Sequence, residues 1–532
     1  MPPPQDIDDL RFPLGGVDRT DSFGRQPARE IGDGVWVSTT RSAQNVRACD
    51  PRSLRLRGGQ RPSLIKFFPT PVVAGWLLQE LAATVKVEED VVQLSNYGRI
   101  VDVVAVSKGN VYYARPGDLV WTAATNLAAT APPLNFTGVM NSSQCIQKLW
   151  FADGAHWRYY DPLDNTVRDW VASAGFLPEA SDGSLPRLIC TWRGRIVLSG
   201  VIGDPQNWFM SAVNDPTDFD YAPLSPSPTQ AVAGNNASQG LVGDVITCLI
   251  PYSDDVLIFG SDHEIRMMRG DPMAGGQIDL ITDAIGMAWG SPWCKDPDGR
   301  VYFLSNRTGI FMLKLGSAPI RISNQIEKFL QAIDTGASTI RLLWDDRYQG
   351  LHVFISPTEE PAATTNFFYE VRTGAWWPDK FKNVNHQPLC CIVVDGNGPD
   401  DRVPLLGSWD GYVRTFSPDV SDDDGTEVES EVWLGPILTK DLDDVLFREM
   451  QAVLGEESGD VSFAVHVGRT AEAAIASPPA VSGTWKAGRN PTELVNASGY
   501  ALYVKLTATT PWAMEAVRAI MKVTGRVRRR GR

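Results

Sequence analysis

The amino-acid sequence predicts an all-β protein: a β-propeller of six to eight blades, an appended small β-sandwich and an irregular N-terminal arm. Three observations lead to this prediction. Short apolar runs recur seven times at intervals of 38 to 60 residues, and each run is flanked by turn residues and by further strand-like stretches. Near the C-terminus the pattern changes to alternating apolar and polar residues. A fixed period of about 40 to 50 residues with several strands per unit is typical of a propeller.

The seven runs are the central strands of the predicted blades. They are four to six residues long and rich in β-branched and aromatic side chains, which favours buried strands over helices. They begin at Val111, Leu149, Ile196, Val256, Val301, Leu351 and Val403. Turn pairs such as Asp298-Gly299 supply the positive φ angles of tight hairpins. We therefore assign residues 63–418 to the propeller, since a pair of β-sandwiches would not explain the regular period.

The cysteines support the same register. The chain has seven cysteines and no C-x-x-C pair, which favours reduced thiols. Four of them, Cys190, Cys248, Cys294 and Cys391, fall shortly before the central strand of their unit. Because a thiol packs as a small apolar group, we interpret them as core residues without a redox role.

The flanks of the propeller differ in composition. Residues 1–62 are rich in Pro, Gly, Asp and Arg without a sustained period, and we interpret them as an arm that docks on a protein neighbour, with a nucleic-acid patch as the less favoured alternative. Residues 322–333 carry apolar side chains at helical spacing and predict a short amphipathic helix between two blades. Residues 419–426 are predicted to be an acidic linker, residues 427–524 the small β-sandwich, and residues 525–532 a basic tail.

Charge and hydropathy exclude several classes of protein. The 49 Lys and Arg against 63 Asp and Glu give a net charge of −14, which disfavours sequence-specific DNA binding. No apolar run is long enough to cross a bilayer. The first residues lack the order of a secretory signal, so an intracellular origin is expected.

The sequence contains none of the familiar catalytic or cofactor motifs. The five histidines are too far apart for a local zinc pair, and no P-loop, nucleophile elbow or dinucleotide fingerprint occurs. We expect no enzyme activity, cofactor, catalytic residue or metal site. Carboxylate doublets at Asp254-Asp255, Asp345-Asp346 and Asp400-Asp401, and the triplet Asp422-Asp423-Asp424, leave a glycosidase open. Turn geometry explains them better, because nearly all stand beside Gly or Pro.

Several phrases of this sequence carry a resemblance to a known family. They are residues 45–51 (Asn-Val-Arg-Ala-Cys-Asp-Pro), 57–62 (Arg-Gly-Gly-Gln-Arg-Pro), 298–309, 320–327 and 372–377 (Arg-Thr-Gly-Ala-Trp-Trp). In these phrases the chain resembles the tail nozzle or hub proteins of short-tailed bacteriophages, which include proteins called packaged-DNA stabilisation proteins. The likeness runs over most of the chain and rests on turn-and-strand phrases, with no invariant catalytic motif.

The resemblance implies a structural virion protein of the tail, assembled in the bacterial host cytoplasm. It implies a ring of six copies below the portal and its adaptor that retains packaged DNA and conducts it during ejection without reading its sequence, in contact with tail fibre or needle proteins. Six copies would carry 6 × −14 = −84 charges. We therefore expect an acidic channel wall that does not adsorb DNA.

Arginine and tryptophan provide the candidate protein-interface residues. The chain has 36 Arg and 17 Trp, residue types that protein interfaces favour. The candidates are Arg47, Arg52, Arg55, Arg57 and Arg61 in the arm, for the adaptor contact, and Trp376 and Trp377, for which buried packing is an equal alternative. Two other classes remain open, a glycan-degrading propeller and a monomeric receptor-binding propeller.

Overall fold

The structure is a computed structural model. It describes residues 6–20, 28–30, 35–50, 57–72, 78–87, 99–115, 117–135, 140–290, 292–307, 309–334, 336–394, 402–438 and 444–525.

The middle of the chain forms a series of antiparallel sheets, each built from strands that follow one another in sequence. The first sheet contains Leu78–Val87, Arg99–Ser107, Asn110–Ala114 and Thr122–Ala123. The second contains Asn141–Cys145, Lys148–Ala152, Trp157–Asp161 and Thr166–Asp169, with Thr125–Asn126 added in parallel at its outer edge. The third contains Leu188–Trp192, Arg195–Val201, Asp204–Met210 and Val232–Ala233. The short strands Ala174–Gly175 and Asp218–Phe219 pair beside it.

Four more sheets continue the series. The fourth contains Ile246–Ser253, Val256–Ser261, Ile265–Arg269 and Gln277–Thr282. The fifth contains Trp293–Lys295, Val301–Ser305, Gly309–Leu313 and Ile320–Arg321. The sixth contains Ser338–Asp345, Gly350–Pro357, Asn366–Glu370 and Ala375–Asp379. The seventh contains Pro388–Val394, Val403–Ser408 and Val413–Ser417, and its outer strand, Ser63–Lys66, comes from the N-terminal part of the chain.

Each sheet shares a hydrophobic core with the next one. In the central strand of the fourth sheet, Leu257 and Phe259 pack towards the third sheet, whereas Val256 and Ile258 pack towards the fifth. Because both faces of such a strand are buried, the sequence reads there as an unbroken apolar run. The seventh sheet packs in the same way against the first. The prediction of an all-β, propeller-like fold is therefore confirmed.

The cysteines lie where the sequence placed them. Cys190, Cys248, Cys294 and Cys391 are on the first strands of the third, fourth, fifth and seventh sheets. Burial raises the pKa of the Cys190 and Cys294 thiols, Cys190 beside Cys248 and Cys294 beside Cys391. Protonated thiols pack as apolar groups, which agrees with a core role for the buried Cys190 and Cys248, whereas Cys294 and Cys391 are half-buried.

The predicted helix over residues 322–333 is shorter than expected. It consists of a 3-10 turn, Asn324–Ile326, and one α-helical turn, Glu327–Leu330. Ile326 and Leu330 are buried between the fifth and sixth sheets, as the amphipathic pattern required. The other helices among the described residues are the 3-10 turns Pro272–Ala274 and Val384–His386 and the α-helix Ala471–Ala476. No helix in the described ranges is long and apolar enough to span a membrane.

The C-terminal strands form two sheets around one core. One sheet contains Ser430–Ile437, Val461–Gly468, Val481–Trp485 and Ala501–Ala508; the other contains Asp444–Leu454, Gly488–Arg489, Glu493–Gly499 and Met514–Gly525. The N-terminal segment completes both, because Ala43–Gln44 pairs with Ser430–Ile437 and Asp6–Leu10 pairs with Met514–Gly525. The described part of the N-terminal segment is therefore built into this sandwich and does not extend from it as a separate arm. Two further hairpins, Ala28–Glu30 with Trp36–Ser38 and Val46–Arg47 with Gly59–Gln60, belong to the same segment.

Candidate functional site

Two of the arginines predicted to contact a neighbour form buried ion pairs within the chain. Arg47 binds Asp379 of the sixth sheet through two hydrogen bonds of 2.8 and 2.6 Å, and its guanidinium lies over the ring of Phe368 at 4.2 Å. Arg61 binds Asp423 through two hydrogen bonds of 3.0 and 2.5 Å, and no part of its side chain is exposed. A buried guanidinium needs such a planar, two-point partner to offset its lost hydration.

Asn45 connects the two ion pairs. Its side-chain oxygen accepts hydrogen bonds from Arg61 Nε at 3.1 Å and from the backbone N–H of Lys380 at 2.8 Å. Its side-chain amide donates to the carbonyl of Glu429 at 2.7 Å. Asn45 has a positive φ of 54°, a conformation that asparagine adopts more readily than most residues. Asn45 thus bonds to both the sixth sheet and the sandwich.

The acidic segment predicted to be a linker supplies the partners of these arginines. Asp422–Asp423 pairs with Thr426–Glu427 in a short hairpin. Asp424 forms ion pairs with Arg414 at 2.7 Å and Lys66 at 3.3 Å. Burial works against ionisation of Asp424, but these two cations outweigh it and hold its pKa below the usual value. Within the predicted linker, Asp423 and Asp424 therefore neutralise buried or half-buried cations.

Trp376 and Trp377 are completely buried. Trp376 donates from Nε1 to the carbonyl of Ile322 at 2.8 Å, and its backbone carbonyl accepts from Val17 at 2.9 Å. Trp377 packs against Phe12, with ring centroids 5.8 Å apart. A side chain without exposed surface cannot contact another chain, so we withdraw Trp376 and Trp377 as interface candidates. Arg47 and Arg61 are withdrawn as well, because their side chains are 5% and 0% exposed and bind carboxylates within the chain.

Of the other predicted arginines, Arg52 and Arg55 lie outside the described residues. Arg57 is 22% exposed and binds Asp50 at 2.7 Å and Glu515 at 2.8 Å. Both carboxylates raise the pKa of Arg57 against the effect of its partial burial. Arg57 is therefore the predicted arm residue that reaches a solvent-accessible feature, an open cleft beside the sandwich.

This arginine-lined cleft has a volume of about 560 Å³ and lies between the N-terminal segment and the sandwich sheet that contains Met514–Gly525. Its charged lining residues are Arg11, Arg57, Arg489, Arg518 and Glu515. The lining side chains carry four positive charges and one negative charge, and Asp50 behind them partly neutralises Arg57, in a chain whose net charge is −14. Sequence reasoning missed Arg11, Arg489 and Arg518 because hundreds of residues separate Arg11 from the other two and none lies in an arginine-rich run that it singled out.

The carboxylate doublets do not form a facing pair in the described structure. Asp254 and Asp255 lie in a hairpin turn, and Asp255 is 3.6 Å from Arg193. Asp345 accepts from the backbone N–H of Arg347 at 2.9 Å, and Asp346 pairs with Arg402. Asp400 and Asp401 lie outside the described residues. In the ranges that the structure describes, no cluster of three or more metal-ligating side chains occurs.

One buried group has the kind of perturbed pKa that catalytic acids show. Burial raises the pKa of Glu370, which lies next to Cys49, Arg372 and Thr373. Cys49 is itself buried, and burial together with Glu370 raises the pKa of its thiol to about 11. A thiol with that pKa is protonated at neutral pH and is a poor nucleophile. This cluster therefore packs the N-terminal segment against the sixth sheet.

Comparison with known proteins leaves the family open. No protein-family model and no curated protein match the chain. Similar solved structures include YCF48 bound to D1 peptide, 11% identical with a TM-score of 0.39 over 68% of this chain and 96% of that one. They also include the extracellular domain of BT4673 from B. thetaiotaomicron, 10% identical with a TM-score of 0.40 over 90% of this chain and 63% of that one. Similarities this weak carry no argument about function.

Proposed function

We propose that this chain is a structural virion protein of a short-tailed bacteriophage. In this proposal a ring of six copies forms the tail nozzle below the portal and adaptor, retains packaged DNA, and conducts it during ejection. The proposal includes a closed propeller with the seven sheets as its blades. Its origin is the resemblance of residues 45–51, 57–62 and 372–377 to the nozzle family.

One structural observation supports a mechanical role. Ser63–Lys66 forms the outer strand of the seventh sheet, and the residues before it are bound to the sixth sheet by Arg47 and to the acidic hairpin by Arg61. A circle of sheets closed by a strand from the opposite end of the chain cannot open without breaking that strand. The same N-terminal segment completes the sandwich. A force applied to the sandwich would therefore be transmitted to the sheets of the propeller.

DNA would pass such a ring along an acidic wall. The formal charge of −14 per chain means that most unpaired surface charge repels phosphates. Repulsion prevents adsorption of the passing duplex, as a conduit requires, and gives no sequence readout. The tail fibre or needle proteins would bind at the ring's exposed end.

Electron microscopy of intact particles of the phage that encodes this protein tests the proposal. A sixfold ring on the DNA axis below the portal is the expected result. An off-axis position, or absence from particles, would overturn it. Sedimentation of the full chain with and without a portal–adaptor complex provides a second test, because a chain that stays monomeric in both samples contradicts the ring.

The alternative functions have their own readouts. A glycan-degrading propeller would release reducing sugar from host surface polysaccharide, and a receptor-binding propeller would bind that polysaccharide without cleaving it. Either result with a monomeric chain would replace the nozzle proposal.

A further inference from the structure

The arginine-lined cleft has two kinds of surface. The first is its cationic part, in which Arg11 and Arg489 are exposed and make no ion pair within the described part of the chain. The strand pairing places Arg489 opposite Val453, and Arg518 opposite Gln451. Since strand residues two apart share a face, both arginines stand on one face of the sheet. That face points away from the core, because the intervening Ala452 is buried in it.

The second kind of surface is apolar. The apolar lining residues that expose surface are Leu14, Val453 and Ala516, with the buried Leu10, Phe12, Met514 and Val517 packed behind them. Phe12 and Met514 are buried in the core shared by the N-terminal segment and the sandwich, so the apolar surface is held rigidly. A volume of about 560 Å³ lies within the range of roughly 300–1,000 Å³ of ligand pockets. The cleft therefore suits a ligand that combines an apolar group with negative charges.

The chain already places one carboxylate at this cleft. Glu515 Oε1 accepts a hydrogen bond from Arg57 Nη1 at 2.8 Å, although half of the Glu515 side chain is exposed to solvent. Arg57 is oriented for this contact by its two bonds to Asp50, at 2.9 and 2.7 Å. Guanidinium groups bind carboxylates in a planar, two-point geometry. The guanidinium groups of Arg11 and Arg489 are available for such binding.

We propose that this cleft binds an acidic peptide segment of another protein, one in which carboxylates flank apolar side chains. Bare DNA fits less well, because phosphates would leave the apolar surface uncovered. A second copy of this chain is the less favoured occupant, because two of its described aspartate runs are engaged: Asp423 binds Arg61, Asp424 binds Arg414, and Asp346 pairs with Arg402. This proposal does not rest on the nozzle function and stands or falls separately from it.

The test measures binding of a fluorescein-labelled peptide, Glu-Leu-Glu-Phe-Glu-Leu-Glu, to the full chain by fluorescence anisotropy. The control peptide replaces every Glu by Gln, and a 20-base-pair duplex serves as the DNA competitor. The variants are the double substitution Arg11→Glu/Arg489→Glu and the single substitution Glu515→Gln. Arg269→Glu is the matched control, an exposed arginine of the fourth sheet away from the cleft.

The full chain should bind the Glu peptide and not the Gln peptide. The double variant should weaken the affinity for the Glu peptide about tenfold or more. Glu515→Gln should tighten binding about threefold, since it removes the one negative charge among the lining side chains. Arg269→Glu should bind as the natural chain does. Unchanged midpoints of thermal unfolding establish that the variants are folded.

Several results would overturn the proposal. One is no binding of the Glu peptide at millimolar concentration, and another is equal affinity for the Glu and Gln peptides. A third is a loss of affinity with Arg269→Glu as large as with the double variant. Tighter binding of the duplex, abolished by the double variant, would assign the cleft to DNA instead. Self-association that the double variant abolishes, without peptide binding, would assign it to a second copy.

Discussion

Replacing Arg61 by methionine tests whether charge holds the N-terminal segment to the rest of the chain. Arg61 donates to Asp423 through two hydrogen bonds, to Asn45 Oδ1 at 3.1 Å and to the carbonyl of Pro62 at 2.8 Å. In Arg61→Met the Asp423 carboxylate keeps the backbone N–H of Leu64 at 2.9 Å as a partner but loses its cation. The variant therefore buries an uncompensated negative charge.

The magnitude follows from this geometry. Breaking a buried pair by removing one partner costs about 3–5 kcal/mol, whereas replacing both partners by apolar groups of similar volume is often neutral. Arg61→Met should therefore lower the free energy of unfolding by about 3–5 kcal/mol, and Asp423→Leu by a similar amount. The double variant Arg61→Met/Asp423→Leu should recover most of the loss. Since domains are stable by about 5–15 kcal/mol, each single change is large.

The assay is urea unfolding followed by tryptophan fluorescence, combined with hydrogen exchange at Ser63–Lys66, whose Leu64 amide bonds to Asp423. The control is Lys382→Met, which removes an exposed pair with Glu429 and should change little. The reasoning is refuted if both single variants lose less than about 1 kcal/mol, or if the double variant is no more stable than the less stable single variant.

Three further predictions concern the same junction. Trp377→Ala should lower the free energy of unfolding by about 3–5 kcal/mol, because it empties a completely buried site against Phe12; an unchanged melting temperature would contradict this. Gly16→Ala should destabilise the N-terminal segment and increase its proteolysis, because Gly16 has a φ of 74° and a Cβ would lie 2.7 Å from the Trp376 carbonyl oxygen; equal cleavage rates would argue against it. Asp424 has a lowered pKa, so its stabilising effect should be complete above the ordinary carboxyl value of 3.8 and be lost as the pH falls through its lower folded value. Urea midpoints measured against pH should therefore fall less steeply for Asp424→Asn than for the natural chain.

The repeating sheets could be predicted because their signal is local. A central strand such as Val256–Ser261 is buried on both faces, so its residues are apolar without interruption. The turn that precedes it contains Asp254 and Asp255, which favour tight reversals. Such short-range patterns can be read from neighbouring residues alone, because they do not depend on contacts with distant parts of the chain.

The arrangement of the flanks could not be predicted in this way. Residues 1–62 and 419–426 are charged and lack a sustained period, and the sequence predicted a docking arm and an acidic linker there. Arginines of the first flank nevertheless pair with carboxylates of the sixth sheet and of the second flank, across 332 residues for Arg47 and Asp379 and 362 residues for Arg61 and Asp423. No local pattern records which arginine faces which carboxylate.

The sequence by itself determined the all-β class, the recurring sheets and the core positions of the cysteines, because burial of strand faces imposes a period on the residues. Only the tertiary structure decided which charged residues are buried in ion pairs and which stay exposed. A guanidinium is buried when a carboxylate meets it in the right plane, as for Arg61 and Asp423, and stays exposed when none does, as for Arg11 and Arg489. That pairing depends on positions in space, and it separates the arginines that hold this fold together from those that line an open cleft.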